Sequence, residues 1–124
     1  YGIEDHVYPL KKSMKQVKKN LKFSSYYDLP FKSNSFDAVF AFHCIYRLNF
    51  GDMIEAIKEI QRVTKKNSYI TFGAYSDQKG KELYDKWGIL STCHLHVNDW
   101  KKIFKYIKYN GDYSFTTPES LGLK

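Results

Sequence analysis

Residues 27–48 read YDLPFKSNSFDAVFAFHCIYRL, and residues 59–66 read EIQRVTKK. The first stretch contains a turn at Leu29-Pro30, a polar connection, and an almost continuous apolar run over residues 36–42. Such a run is typical of a parallel strand that is covered on both faces. The two stretches therefore predict a turn, a buried strand and then a helix.

The residues that link the two stretches have helical periodicity. Asn49 or Asp52 is suited to cap the helix start, because a side-chain oxygen there can accept a backbone N–H bond. Lys65 and Lys66 are expected at the C-terminal end, where positive charge interacts favourably with the helix dipole. The predicted inward-facing rows consist of Met53, Ala56, Ile57, Ile60 and Val63.

The rest of the chain alternates between strand and helix patterns. Further strands are predicted at residues 1–4, 21–26, 68–75 and 112–117. Helices are predicted from Pro9 with an apolar stripe at Leu10, Met14, Val17 and Leu21, over residues 77–90, and from an Asn98 cap to a stop at Gly111. Asp5 is expected to cap the first of these helices. This alternation predicts an α/β fold with right-handed crossovers, a mostly parallel sheet and helices on both faces.

Composition restricts the class of protein. The chain has 124 residues, of which 43% are hydrophobic and 18% aromatic, so it can form one core and is not a disordered tail. It has no apolar run of about eighteen residues, as a membrane-spanning helix requires. Cys44 and Cys93 are too few for a disulfide framework, which predicts a cytoplasmic setting.

The formal net charge is +7, which could attract nucleic acid, anionic lipid or an anionic small substrate. Most lysines, however, lie on two predicted helices, and lysines on the outer face of amphipathic helices usually form a solvated surface. No recognised RNA or DNA motif accompanies them. A nucleic acid or a membrane is therefore not expected as a partner.

The order of these motifs resembles class I S-adenosylmethionine-dependent methyltransferases. A Leu-Pro-Phe turn, here at residues 29–31, a Ser-Phe-Asp strand start at 35–37 and a Glu-Ile-x-Arg-Val helix end at 59–63 recur in that family. The closing helix with Trp100 and the Gly-Asp-Tyr-x-Phe strand at 111–115 resemble one subgroup. The resemblance covers nearly the whole chain and implies a Rossmann-like fold that uses S-adenosylmethionine.

The resemblance assigns five residues to the cofactor. An acidic residue at the position of Glu4 binds the ribose hydroxyls in the family. Ser25 occupies the position of the usual aspartate that meets the adenine amino group. Tyr26 beside it could stack on the adenine ring or, like Tyr27, be a packing residue. Ala41 and Phe42 match the strand end that lines the methionine part of the cofactor.

Three residues are assigned to the acceptor side. His43 follows the third strand and could accept a proton from the acceptor, although a lone histidine is often structural. Arg47 stands where the family frequently has histidine and could bind an acceptor phosphate or carboxylate. Trp87 begins a stretch to Val97 that is expected to form a lid and part of the acceptor wall.

The sequence Cys93-His94-x-His96 resembles metal-ligand spacing, but the other candidate ligands lie on distant elements. A zinc site needs three or four ligands, so no metal is expected.

The chain also departs from the family pattern. Residues 66–68 read Lys-Asn-Ser in place of the usual Pro-Gly-Gly turn, and the first strand with its glycine-rich loop is absent. In the family that strand lies between the strands ending at Glu4 and Phe42, and its loop lets the backbone approach the cofactor closely. Residues 1–124 are therefore expected to be the C-terminal portion of one methyltransferase domain, inactive by itself.

The predicted function is methyl transfer to an oxygen or nitrogen of a small molecule by the complete domain. Two alternatives remain open at this point: a catalytically inactive relative that acts as a scaffold or regulator, and a nucleic-acid methyltransferase or binder. The acceptor's identity and the oligomeric state do not follow from the sequence.

Overall fold

The computed structural model describes residues 1–87 and 92–124. Within these residues every strand pair is parallel, and the strands form two separate sheets. The smaller sheet pairs β1 (Gly2–Glu4) with β2 (Leu21–Phe23), and α1 (Val7–Lys12) and α2 (Lys15–Lys18) connect the two strands. Residues 1–27 are called the N-terminal unit below.

The larger sheet, called the C-terminal sheet, is built around one long strand. Its four strands are β3 (Phe36–Ala41), β4 (Thr64–Tyr75), β5 (Leu95–His96) and β6 (Asp112–Thr116). β4 pairs with each of the other three. The helices of this part are α3 (Phe50–Val63), α4 (Gln78–Trp87), α5 (Val97–Tyr106) and a short 3₁₀ helix, Ile45–Arg47.

Helices lie on both faces of the C-terminal sheet. Phe72 and Tyr75 point to opposite faces of β4, because they are an odd number of residues apart. The Phe72 ring packs 4.5 Å from that of Trp100 in α5, whereas Gly80 in α4 lies directly against Tyr75. The predicted α/β architecture, with parallel strands flanked by helices, is confirmed.

The core lies between the C-terminal sheet, α3 and α5. It consists mainly of Ala41, Ile45, Met53, Ala56, Ile57, Ile60, Ile70, Phe72, Ala74, Cys93, Trp100 and Phe104. The Trp100 indole N–H donates to the Gly73 carbonyl at 2.9 Å, so its polar atom is satisfied inside the core. The inward rows predicted for α3 are confirmed.

The start of α3 also follows the sequence prediction, because Asn49 caps it. The Asn49 side-chain oxygen accepts the Asp52 backbone N–H at 3.0 Å. At the other end the prediction is wrong, since α3 stops at Val63 and Lys65 and Lys66 belong to β4. Thr64 ends the helix by donating both its backbone N–H and its hydroxyl to the Ile60 carbonyl.

Hydrogen bonds from Glu59 and Arg62 of α3 to the Leu-Pro-Phe turn, called the clasp below, join residues 59–66 to residues 27–48. Arg62 donates to the Leu29 and Phe31 carbonyls at 3.0 and 2.8 Å, and to both carboxylate oxygens of Glu59. Glu59 in turn accepts the Leu29 backbone N–H at 2.8 Å. These contacts hold the turn against the C-terminal end of α3.

The predicted long helix after Pro9 is wrong. The backbone is extended at Ser13 and Met14, and it divides the segment into α1 and α2. Met14 is 68% exposed and Val17 is 42% exposed, so the middle of the expected apolar stripe is unpacked, while Leu10 and Leu21 are half-buried. Periodicity alone did not stabilise one helix, because a short helix depends on a packed face.

Three other predictions need correction. The second strand ends at Phe23 rather than Tyr26, and Tyr26 lies in a turn. The strand at residues 36–42 is not covered on both faces, since Phe40 is 64% and Phe42 is 58% exposed. The final helix is capped by His96, not Asn98, and it ends at Tyr106, well before Gly111.

The strand predicted at residues 68–75 begins earlier, at Thr64, and the last strand is confirmed with an end at Thr116. No described helix is long and apolar enough to cross a membrane.

Candidate functional site

The carboxyl ends of β1 and β3 lie on the same side of the molecule. At the amino ends of the two strands the Tyr1 and Phe36 rings are 5.8 Å apart. Beyond the carboxyl ends, the Tyr26 hydroxyl donates a hydrogen bond to Asp5, the residue that follows β1. The Tyr26 side chain also packs against the core that includes Ala41. The two strands therefore run in the same direction, although they do not pair.

A cavity of about 440 Å³ lies between these two strands. Its lining is mostly apolar and includes Gly2 and Ile3 of β1, Val39 and Ala41 of β3, and Tyr26. A volume of this size is in the range of small-molecule sites. The cavity also extends along the strands to their amino ends at Tyr1 and Phe36, which is further than a site at the carboxyl ends requires.

Glu4 is half-buried at the end of β1. Its Oε1 accepts the His6 backbone N–H at 3.0 Å, which holds the carboxylate beside the strand end. One carboxylate oxygen is thus used by the chain itself, and the other remains able to accept hydrogen bonds from a ligand.

Tyr26 and Asp5 connect the segments that follow β1 and β2. The Tyr26 hydroxyl donates to Asp5 Oδ1 at 3.1 Å, so Asp5 does not cap α1 as the sequence analysis expected. Burial, together with the Asp5 carboxylate, raises the pKa of Tyr26 to about 12. Tyr26 therefore keeps its proton at neutral pH and serves as a hydrogen-bond donor, not as a base.

Asp5 and Tyr26 are 21 residues apart, so no local sequence pattern predicts their hydrogen bond. The available signal was the second acidic residue at the end of β1, Asp5, which the sequence favours as a helix cap.

Ser25 lies next to Tyr26 in the turn after β2, where it is half-buried. Its carbonyl accepts the Asp28 backbone N–H at 3.3 Å. Its position beside Tyr26 is the one that the sequence predicts for contact with an adenine ring.

The end of β3 presents a change of backbone direction. Ala41 is buried and Phe42 is exposed, and both line the cavity. His43 follows with φ of 51°, a left-handed conformation that is uncommon for a residue with a side chain. Its backbone N–H donates to Thr71 Oγ1 at 2.8 Å, and this bond across to β4 holds the unusual turn. Such strain is found at functional sites.

Five of the predicted site residues do not line this cavity: Glu4, Ser25, His43, Arg47 and Trp87. Arg47 is exposed at the end of the 3₁₀ helix. Trp87 is exposed at the end of α4, where Lys86 Nζ lies 5.5 Å from its ring centroid. The lid that the sequence predicts at this place falls partly on residues 88–91, which lie outside the described residues.

Cys44 is a cavity residue that the sequence analysis did not select. It lies directly after His43, lines the cavity and packs against the core. Burial raises the pKa of its thiol, so it is a neutral apolar wall, not a reactive thiolate.

The two histidines of the Cys-His-x-His sequence have separate structural contacts. His94 stacks on Tyr84 with ring centroids 5.0 Å apart and lies 3.2 Å from Asp85. His96 accepts the Asn98 backbone N–H and contacts the Ser76 carbonyl. Across residues 1–87 and 92–124, no three histidine, cysteine or acidic side chains are placed to hold a metal ion.

The described residues fit part of an adenosyl ligand. An aromatic ring and a small buried residue at a strand end, Tyr26 and Ala41, line one end of the cavity. Glu4 does not line it, but its carboxylate follows the lining residue Ile3 directly in β1. Glu4, Tyr26 and Ala41 suit ribose hydroxyls, a flat base and an apolar chain respectively.

Comparison with protein families matches residues 1–72 of the chain to a family described as a methyltransferase domain. The matched segment extends from β1 through α3 into β4, and it includes the cavity described above. No curated protein matches the chain significantly.

Proposed function

Because the chain belongs to the methyltransferase domain family, we propose that its complete domain transfers a methyl group from S-adenosylmethionine to an oxygen or nitrogen of a small molecule. The observation that carries this proposal is the family match over residues 1–72, which contain Glu4, Tyr26 and the end of β3. Tyr26, Ala41 and Phe42 line one end of a cavity, and this placement supports the proposal.

Each residue has a defined role in the proposal. Glu4 accepts hydrogen bonds from the ribose hydroxyls, and Ser25 and Tyr26 contact the adenine ring. Ala41 and Phe42 border the methionine part. S-adenosylmethionine supplies an activated methyl group when bound, and the rate depends mainly on alignment with the acceptor. His43 accepts the acceptor's proton, while Arg47 and Trp87 contact the acceptor.

We further propose that the complete domain contains one more strand, between β1 and β3. These strands run in the same direction, lie on either side of the 440 Å³ cavity, and have no strand partner on that side among the described residues. Exposed Phe40 and Phe42 stack on each other beside the cavity, with centroids 5.8 Å apart. A parallel sheet normally has both faces covered, so a segment outside these 124 residues is expected to cover them.

Calorimetric titration of S-adenosylmethionine into the full-length polypeptide tests cofactor binding. Glu4→Gln removes the charge that accepts the ribose hydroxyls, so it should weaken binding by about 10- to 100-fold. Glu55→Gln is the matched control, since Glu55 is an exposed acid on α3 paired with Lys58. Absence of binding heat at high micromolar cofactor, or equal effects of both variants, would contradict the proposal.

Amide hydrogen exchange tests the additional strand. In residues 1–124 alone, we expect rapid exchange in β1 and β3 at their free edges and no methyl transfer. In the full-length polypeptide the same amides should exchange slowly. Equal exchange in both forms would contradict the strand without bearing on cofactor binding.

Ser25 favours the alternative of a catalytically inactive relative, because a hydroxyl is a weaker partner for the adenine amino group than a carboxylate. Ser25→Asp should strengthen cofactor binding if the position meets adenine, and it should have no effect in a non-binding scaffold.

The two free cysteines support a cytoplasmic location for either protein.

A further inference from the structure

The positive charge of the chain is concentrated in one segment. Residues 7–27 contain six lysines and no acidic residue, whereas all thirteen acidic residues and the fourteen other basic residues lie elsewhere. The rest of the chain is therefore close to neutral, and the net charge of +7 belongs almost entirely to α1, α2 and β2. We call this set the basic surface: Lys11, Lys12, Lys15, Lys18, Lys19 and Lys22.

These lysines are exposed and lack acidic partners. All six are exposed, and none forms an ion pair with an acidic residue in the part of the chain that the structure describes. Two of them lie over aromatic rings instead, Lys12 at 6.0 Å from the Tyr8 centroid and Lys22 at 4.8 Å from the Phe31 centroid. Neighbouring like charges without acids repel one another, and a bound polyanion removes that repulsion.

Within residues 1–124, the two lysine-rich regions are packed differently. A solvated lysine face requires a helix whose opposite face is packed, and α5 meets that requirement: Trp100 and Phe104 are buried while Lys102 pairs with Asp99 at 3.1 Å. Neither α1 nor α2 has a buried residue. The lysines of α5 therefore lie on a helix with a packed face, whereas those of α1 and α2 do not.

We propose that the basic surface binds the phosphate backbone of a nucleic acid. Lysines neutralise phosphates as point charges and release counterions, which gives affinity without sequence preference. Tyr8, 72% exposed beside Lys12, provides an aromatic ring on which a base can stack. This surface is separate from the methyl-transfer proposal, and the nucleic acid need not be the methyl acceptor.

An anionic membrane is the other large polyanion, and the backbone argues against it. Binding in the plane of a membrane uses one amphipathic helix with a continuous apolar face. The extended backbone at Ser13 and Met14 separates α1 from α2, so no such face is formed.

Fluorescence anisotropy with a labelled 20-base-pair DNA duplex tests the proposal over a salt series. If all six lysines contact phosphates, the affinity should fall by about 10³-fold between 50 and 200 mM salt. The Lys15→Gln, Lys18→Gln, Lys19→Gln triple variant should reduce the slope of log affinity against log salt by about 2 to 3, since three contacts are lost. If a base stacks on Tyr8, the Tyr8→Ala variant should bind a labelled single-stranded 20-mer more weakly than the wild type does.

The matched control is the Lys101→Gln, Lys102→Gln, Lys105→Gln triple variant, which removes the same charge from exposed positions of α5. It should leave the salt slope within about 0.5 of the wild type. Equal losses in the two triple variants would show attraction by net charge alone and overturn the proposal. Binding to phosphatidylserine vesicles without binding to either nucleic acid would also overturn it, and circular dichroism confirms that both variants fold.

Discussion

The N-terminal unit and the C-terminal sheet use the same kind of parallel pairing but bury very different amounts of side chain. β4 has five consecutive buried residues, Ile70–Ala74, because strands and helices surround it. None of β1, α1, α2 and β2 contains a buried residue. A helical or strand pattern therefore defines local structure, whereas stability depends on a second layer that packs against it.

Only a few contacts join the two regions. Among the described residues, Tyr26 is the member of the N-terminal unit that packs against the core. The clasp of Glu59 and Arg62 then fixes the Leu-Pro-Phe turn, through which the chain passes to β3. Substitutions in the core, in the clasp and in the N-terminal unit should therefore have effects of decreasing size.

The largest effect is expected for Trp100→Ala. Trp100 is fully buried between Phe72 and Phe104, and its removal leaves a large cavity and breaks the hydrogen bond from the indole N–H to the Gly73 carbonyl. The free energy of unfolding should fall by about 3 to 5 kcal/mol, measured by urea denaturation. Trp87→Ala is the matched control, and since Trp87 is exposed its effect should remain within about 0.5 kcal/mol.

A smaller effect is expected for Arg62→Ala, which breaks the clasp. The variant loses two hydrogen bonds to backbone carbonyls and leaves Glu59 without its cationic partner. We expect a loss of about 2 kcal/mol in the free energy of unfolding. Lys58→Ala removes the exposed ion pair with Glu55 on the same helix and should cost less than about 0.5 kcal/mol. Equal losses would mean that the turn is not held by α3.

The clasp also predicts a dependence of stability on pH. The hydrogen bonds from Arg62, above all, lower the pKa of Glu59 below its ordinary value. Because the folded pKa is depressed, this contribution is fully present above the unfolded pKa of about 4.3 and is lost as pH falls through the folded pKa. The stability difference between wild type and Glu59→Gln should therefore be largest at neutral pH and shrink in urea titrations toward pH 3. A constant difference would exclude this linkage.

The same contrast explains what the sequence could predict. Asn49 and the inward rows of α3 were predictable because a cap and a periodic face act over one or two helical turns. Lys65 and Lys66 were misassigned because pairing with β3, at Thr64 and from Asn67 onward, draws this segment into the sheet. Local propensity does not contain that information.

In the candidate site, too, some features could be predicted from the sequence and others could not. Glu4 and Phe42 could be expected on the same side of the molecule, because parallel strands have their carboxyl ends on the same side. The hydrogen bond between Tyr26 and Asp5 and the left-handed backbone at His43 depend on residues that are distant in the sequence, so no local sequence pattern predicted them.

The smallest effect is expected for Val17→Ala in α2. Val17 has the spacing of a packed helical residue but is 42% exposed, so its truncation removes little contact. The free energy of unfolding of residues 1–124 should change by less than about 0.5 kcal/mol. Ile57→Ala, which truncates an aliphatic side chain in the packed face of α3, should cost about 2 to 5 kcal/mol. In the full-length polypeptide the Val17→Ala effect should increase above about 1 kcal/mol if the proposed additional segment covers this face. An equally small effect in the full-length polypeptide would mean that α2 stays exposed there, and that no further segment packs against this part of the N-terminal unit.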